Sequence, residues 1–445
     1  MTRLRSNCLQ LETQLDFFRQ ITDQLDEQRQ IAQIDVFETL ALKLDHANGK
    51  LKRLCGRRRS YALQKPSLDK AIAEVEEWQR LAFDPLWFAM TKVQIAYFDE
   101  ELACAKESKQ TQGNKMIKAT IAMRNPLRDI SSAAVFLPLG KLESAKTAAI
   151  AFSSVKSVEV DGKWRLLDSV SDLSKDTVRE LAVRLKKADP STFGLLECLG
   201  AVHDKRHNEF GIIFRMPSSM SEPETLRAKI MARDTIHSLS DRFRLATQLA
   251  RAVFSVHTFD MVHKSIRPEN IILFRDLEST LGSAFLLGFG SLRREEDGTR
   301  LTSDTDWAKN LYRHPQRQGL RIRDRYIMQH DIYSLGVCLL EIGLWTSFVE
   351  YAPDQSLTRS QTYDFCAESS DDLGYPELVK SCFLTLAIKE LPGKMGTKYA
   401  TIVESCLTCL DLGNEAFGEE PELQEDGINI AIRYIEKVSP RNKRR

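Results

Sequence analysis

The eight residues from His263 to Asn270, His-Lys-Ser-Ile-Arg-Pro-Glu-Asn, bring together an imidazole, two cations, a hydroxyl, a carboxylate and a carboxamide. A carboxamide oxygen suits a hard ion such as magnesium, and a nearby cation such as Arg267 suits an anionic group. Proton abstraction also needs a base, and the hydroxyl of Ser265 is neither charged nor basic near neutral pH. Further on, Phe285-Leu286-Leu287-Gly288-Phe289-Gly290 ends an apolar run on glycines, so positions 288 and 290 offer a metal no side chain.

Two kinds of element must hold that loop. Phe243, Ala246, Leu249, Ala250 and Val253 recur at helical spacing and predict a long helix leading into it. Ile271 to Phe274 reads as a short apolar strand, followed by a turn and a second strand from Ala284 to Leu287. Downstream, His330-Asp331-Ile332-Tyr333-Ser334-Leu335-Gly336-Val337 opens an apolar stretch reaching Trp345. It is too short to span a membrane and fits a buried helix.

This order of helix, loop, hairpin and buried helix resembles the C-lobe of the protein kinases. The resemblance implies that His263, Ser265, Arg267 and Asn270 hold catalytic-loop positions. Ser265 then stands where the proton-accepting aspartate belongs, and Asn270 is kept as a magnesium ligand. Gly288, Phe289 and Gly290 take the place of Asp-Phe-Gly, with glycine in place of the metal-binding carboxylate. Asp331 matches the family aspartate that caps the catalytic-loop backbone. No intact catalytic set and no metal site is expected. His314-Pro315-Gln316 stands where kinases carry Ala-Pro-Glu, and the glutamate's usual partner is also missing, since no arginine lies between Arg359 and Arg433. Losing one member of a buried ion pair costs on the order of 3–5 kcal/mol, whereas replacing both can be neutral. The joint loss therefore points to a settled alternative packing.

The part of the chain that would form a kinase N-lobe has drifted further. From Asp129 to Lys163 the only glycines are Gly140 and Gly162, so no glycine-rich phosphate-covering hairpin is visible. Strands are predicted at 148–152, 164–167, 195–202 and 210–214, a helix at about 174–188, and a hinge at Met216-Pro217. The family's phosphate-holding lysine and its partner glutamate map best to Lys163 and Glu180, with Lys156 nearly as good. With no glycine loop and no carboxylate at 288, ATP and magnesium binding is expected to be weak or absent.

The expected class is α+β, an all-α bundle followed by a bilobal kinase-like domain. At 445 residues the chain exceeds one kinase-like domain. Residues 1–125 read as the bundle, with a polar linker near 106–118. Residues 126–437 read as the kinase-like domain (N-lobe about 130–217, C-lobe about 218–437), and 438–445 as a basic tail. Leu11, Leu15, Phe18, Thr22 and Leu25, then Leu40, Leu44, Ala47, Leu51 and Leu54, repeat by threes and fours. A third helix follows Ser67, and a fourth begins after Asp84-Pro85. A net charge of +1 gives no electrostatic case for nucleic acid. Arg57-Arg58-Arg59 and the tail from Arg441 read as solvated. Nine scattered cysteines, with Cys406 and Cys409 as the single C-x-x-C pair, read as core thiols of a reducing compartment. No signal peptide or membrane-spanning run is seen, which points to the cytoplasm.

Bundle plus degenerate kinase domain resembles a group of filamentous-fungal proteins in which a HeLo-like helical domain precedes a kinase-like domain. The carriers are Ser67-Leu68-Asp69-Lys70 with Glu76 to Arg80, Val262-His263-Lys264, Asn310 to Pro315, and Met328 through Trp345. The resemblance implies a pseudokinase signalling platform whose bundle associates with itself or a protein partner, in non-self recognition or regulated cell death. A membrane-acting bundle is an alternative output, but Met1-Thr2-Arg3-Leu4-Arg5 is a poor membrane inserter. An atypical active kinase is another alternative, with Glu269 or Asp276 as the displaced carboxylate. Thr299, Thr302, Ser303 and Thr305 are candidate phosphorylation sites, with Arg293 or Arg294 as the phosphate's partner.

Overall fold

The computed structural model describes residues 134–414 apart from short internal segments, together with a few residues scattered between 34 and 70. The chain divides into two units, and these residues lie almost wholly in the second, Pro126–Ile430. Apart from those few residues, the expected bundle over 1–125, with its linker at 106–118, lies outside the described residues, as do the end of the C-lobe and the tail at 438–445. So do Asp276, Thr299, Thr302, Ser303 and Thr305.

Five strands make the N-terminal layer: β1 (Thr147–Ala149), β2 (Lys156–Val160), β3 (Lys163–Val170), β4 (Cys198–Asp204) and β5 (Glu209–Arg215). They pair antiparallel in the order β1-β2-β3-β5-β4. The β2–β3 hairpin turns on Asp161 and Gly162, both at positive φ (51° and 70°), the two-residue geometry whose twist matches the flanking strands. Between β3 and β4 runs α1 (Lys175–Leu185), started by Ser174, whose hydroxyl accepts the Thr177 N–H. Its buried Val178, Leu181, Ala182 and Leu185 form the stripe that packs on β4 and β5.

Each predicted element of this layer is present, with shifted ends. The first strand stops at Ala149 rather than 152, because Phe152 takes a left-handed conformation (φ 65°) and turns the chain. The next expected strand, 164–167, extends to 163–170 because its inward side chains continue at alternate positions through Val170.

The C-terminal layer begins after residues 216 and 217, with β6 (Ser221–Thr225), α2 (Leu226–Met231) and α3 (Leu239–Thr258). Then follow β7 (Met261–Val262), the hairpin β8 (Ile271–Arg275) and β9 (Ser283–Leu286), and β10 (Arg293–Arg294), which pairs with β7. β6 adds to the hairpin in a three-stranded sheet, β6-β8-β9. The apolar stretch beyond His330 lies in α4 (Met328–Leu344), every residue of which is buried. β11 (Val349–Tyr351) and β12 (Leu357–Arg359) follow, then α5 (Tyr375–Lys389), α6 (Leu391–Met395) and α7 (Thr397–Leu407).

Close approach to α4 depends on its glycines. A Cβ at Gly336 would lie 2.7 Å from Cys406 Cβ, and one at Gly343 would lie 2.6 Å from Leu391 Cδ2. Cys406 and Cys409 are buried free thiols here, and Cys409 Sγ donates to the Gln329 carbonyl at 3.1 Å.

Candidate functional site

The loop 263–270 hangs from β7 and closes in a 3-10 turn, Pro268–Asn270, that feeds β8. Its backbone is held by Asp331, in the first turn of α4. The carboxylate accepts the N–H groups of His263 (2.6 Å) and Lys264 (2.9 Å) and the Tyr326 hydroxyl (2.7 Å), and stands 3.2 Å from His257 Nε2. Burial alone would raise Asp331, but the bond from His257 and the neighbouring N–H groups outweigh it and hold the carboxyl below the usual range. Lys264 adopts φ 65°, a strained conformation this clamp enforces.

Behind the loop, the His263 ring lies 5.2 Å from that of Phe289, which lies 5.9 Å from Phe214 of β5. Burial lowers His263 to about 4, so it is a neutral packing ring rather than a cation. Lys264 sits over Tyr326 and is lowered to about 8, by burial first and then by Arg293, Arg317 and Arg313. Arg293 donates to the Tyr326 carbonyl at 2.9 Å.

Ser265 and Asn270 are brought together, facing each other instead of an open site. The Asn270 amide donates to the Ser265 carbonyl (2.7 Å) and hydroxyl (2.9 Å). Gly288 lies against the same side chain. It has φ 83°, and a Cβ there would fall 2.3–2.6 Å from the terminal atoms of Asn270. Asn270 thus fills the space that a carboxylate at 288 would need.

Lys163 and Glu180 are not brought together. Lys163 lies exposed at the hairpin end of β3, and Lys156 is exposed on β2 opposite Leu167. Glu180 instead accepts Arg184 one turn along α1, at 2.7 Å. The residue of β3 that reaches the cleft is Asp168. It is 1% exposed, and its Oδ2 accepts the N–H groups of Gly288 (3.0 Å) and Phe289 (2.8 Å). Burial, only partly offset by those bonds, raises its carboxyl to about 6. The sequence reading missed Asp168, although alternation marks it: Leu166, Asp168 and Val170 share one inward face of β3.

The β1–β2 connection also folds onto the C-terminal layer. The Phe152 ring rests 4.3 Å from that of Tyr351, and the Ala151 carbonyl accepts the Thr225 hydroxyl at 2.8 Å. Glu269, named as a displaced base, is buried and committed: it accepts Arg227 at 2.9 Å and Tyr351 at 3.3 Å. Arg227, with no exposed surface, also reaches Glu341 at 2.8 Å and the hydroxyls of Tyr312 and Ser347. His314 and Pro315 enter a 3-10 turn in which the His314 ring stacks edge-on to His330 and Tyr333. His314 and Pro315 of the drifted triplet are therefore packed into the core, while Gln316 is exposed.

As a site for a magnesium nucleotide these residues do not fit. Residue 288 has no ligand and no room for one, and the charged group that β3 places beside the Gly288–Phe289 turn is a carboxylate rather than a cation.

Parts of the sequence are similar to known kinases. Over 190 residues, 40% of this chain and 16% of the relative, the sequence is 27% identical to the leucine-rich repeat receptor-like protein kinase PEPR1 of Arabidopsis thaliana. The chain is protein-kinase-like. It is also 29% identical over 106 residues to a putative serine/threonine-protein kinase of Mycoplasma pneumoniae, covering 22% of this chain and 27% of that one. With the glycogen synthase kinase-3 homolog YGK3 of Saccharomyces cerevisiae, 95 residues are 33% identical, 21% of this chain and 23% of the relative. The matched region spans between 16% and 27% of these relatives' lengths. No family model matches the chain. Among the described residues no helix is long and apolar enough to cross a membrane.

Proposed function

We propose that the kinase-like domain is a binding platform that does not transfer phosphate, joined to an N-terminal helical segment through which a protein partner or a second copy associates. The observation that carries this reading is Asp168. A carboxylate turned onto the Gly288–Phe289 turn takes the place where a kinase holds phosphate with a lysine, so a nucleotide's phosphates would meet a like charge in a dry site. Ser265, bonded to Asn270 and lacking basicity, supports the same reading. Glu269, paired with Arg227, gives no free base in its stead. Cytoplasmic signalling in fungal non-self recognition or regulated cell death is the setting that the HeLo-like resemblance suggests.

Thermal-shift titration with ATP, with and without magnesium, together with a labelled-phosphate transfer assay in magnesium or manganese, tests the proposal. We expect no magnesium-dependent shift and no transfer. A large magnesium-dependent stabilisation, or transfer that Glu269→Gln abolishes, would overturn it.

A further inference from the structure

Asp168 belongs to the N-terminal sheet, yet both groups it binds, the N–H of Gly288 and of Phe289, belong to the turn after β9 in the C-terminal layer. The end of β3 and this turn touch: a Cβ at Gly290 would lie 3.9 Å from the Ser169 carbonyl and from Val170 Cγ1. What surrounds the carboxylate is uncharged. Ile212 lies opposite it on β5, the turn presents Gly288, Phe289 and Gly290, and Asn270 closes the far side of Gly288. The titratable groups on the packed elements are otherwise engaged. His263 is neutral behind Phe289, Glu180 of α1 is paired with Arg184, and Glu269 with Arg227. Burial and the two N–H groups, not a neighbouring charge, set the ionisation of Asp168.

We infer that Asp168 is an acid-tightened latch between the two layers: neutral, it keeps β3 docked on the Gly288–Phe289 turn, and ionised, it favours release of the turn and opening of the cleft. The direction follows from linkage. In the docked state the carboxyl is raised to about 6, against the ordinary 3.8 of a solvated group, so the docked state binds the proton more tightly. Lowering pH from above 6 towards 4 must then favour docking, and raising it must favour release. Phe152 on Tyr351 and Thr225 on Ala151 form a second clasp between the layers in which the one acid, the Tyr351 phenol, is raised to about 12 and stays neutral, so opening at Asp168 is local rather than a parting of the layers. The inference holds whether or not the domain binds a nucleotide.

Hydrogen exchange by mass spectrometry on the full chain, read in peptides covering Leu286 to Ser291, tests it at about pH 7.5 and about pH 5 after correction for intrinsic rates. For a shift from 3.8 to about 6, protection relative to D168N is expected to rise about tenfold at the lower pH. Asn keeps the acceptor oxygen and cannot titrate, and D168N retains the buried histidines, so the ratio to D168N cancels any global acid effect. D168A, which lacks the acceptor, is expected to be poorly protected at both values. If it does not fold, the wild-type to D168N ratio still decides. A ratio that is the same at both pH values, or that falls in acid, overturns the latch. Nucleotide binding in the separate thermal-shift assay would overturn the proposed function and leave the latch standing.

Discussion

Two places in this domain keep carboxylates out of water, and they do so by opposite means. Glu269 and Glu341 flank Arg227, which holds Glu269 below the usual range although burial still raises Glu341; Arg227 is itself held charged, since burial alone would lower it but the two carboxylates outweigh that and raise it. Asp168 has no cation beside it among the described residues and relies on two backbone N–H groups. A buried charge paired with its opposite is costly to break, whereas one satisfied only by dipoles gives up its charge by taking a proton. The Arg227 cluster is therefore built as a permanent frame and Asp168 as a joint that can change state.

The comparison breaks most visibly at the frame. Arg227→Met strands two buried carboxylates and should lower stability by on the order of 3–5 kcal/mol in urea unfolding. Replacing Glu269 and Glu341 by Gln in the same chain should recover much of that loss. A single Arg227→Met variant as stable as the parent would mean that the cluster is not the frame it looks to be.

Acid tests the histidines next. Burial lowers His263 to about 4, His314 to about 3 and His330 to about 4, against 6.5 for the ordinary group. Below about 6.5 the unfolded chain takes up protons that the fold refuses, so the histidines' contribution to stability should be flat above that pH and fall as pH drops towards 4. Each histidine contributes at most about 1.4 kcal/mol per pH unit. Asp168 works the other way, its raised carboxyl adding stability as pH falls below 6. Urea midpoints across this range should fall more steeply in D168N than in the parent, since only the parent has the opposing carboxyl.

A smaller effect is expected at the turn itself. Gly288→Ala places a Cβ 2.3 Å from Asn270 Cγ at φ 83° and should cost roughly 1–3 kcal/mol. Gly288→Asp should suffer likewise and acquire no magnesium-dependent thermal shift with ATP, because Asn270 fills the space the carboxylate needs. Smallest of all, Lys163→Ala should change stability by less than about 0.5 kcal/mol, as expected of an exposed lysine at a hairpin end.

Much of the domain is legible in the chain's own order of residues. The helical recurrence from Phe243 to Val253, the apolar runs that became β8 and β9, and the stretch that became α4 all fall where periodicity puts them, because burial rewards one face or two. Asp331 was marked by its spacing alone; that its carboxylate accepts the loop N–H groups is a fact of the packed structure. The lysine and glutamate of the N-terminal layer were not readable. Both types are common on exposed faces, and nothing in their spacing separates a paired Lys163 from a solvated one.

Sequence alone determined which groups are missing: a serine cannot be a base at 265, and a glycine cannot be a ligand at 288. What took their place was decided only by tertiary structure. The turn of Asn270 onto Ser265, the fit of Gly288 against Asn270 and the reach of Asp168 to two N–H groups over a hundred residues away depend on how β3, β8 and β9 stack. Side-chain chemistry is local and can be read residue by residue, whereas the desolvation and close contact that set its charge state exist only once distant strands have packed.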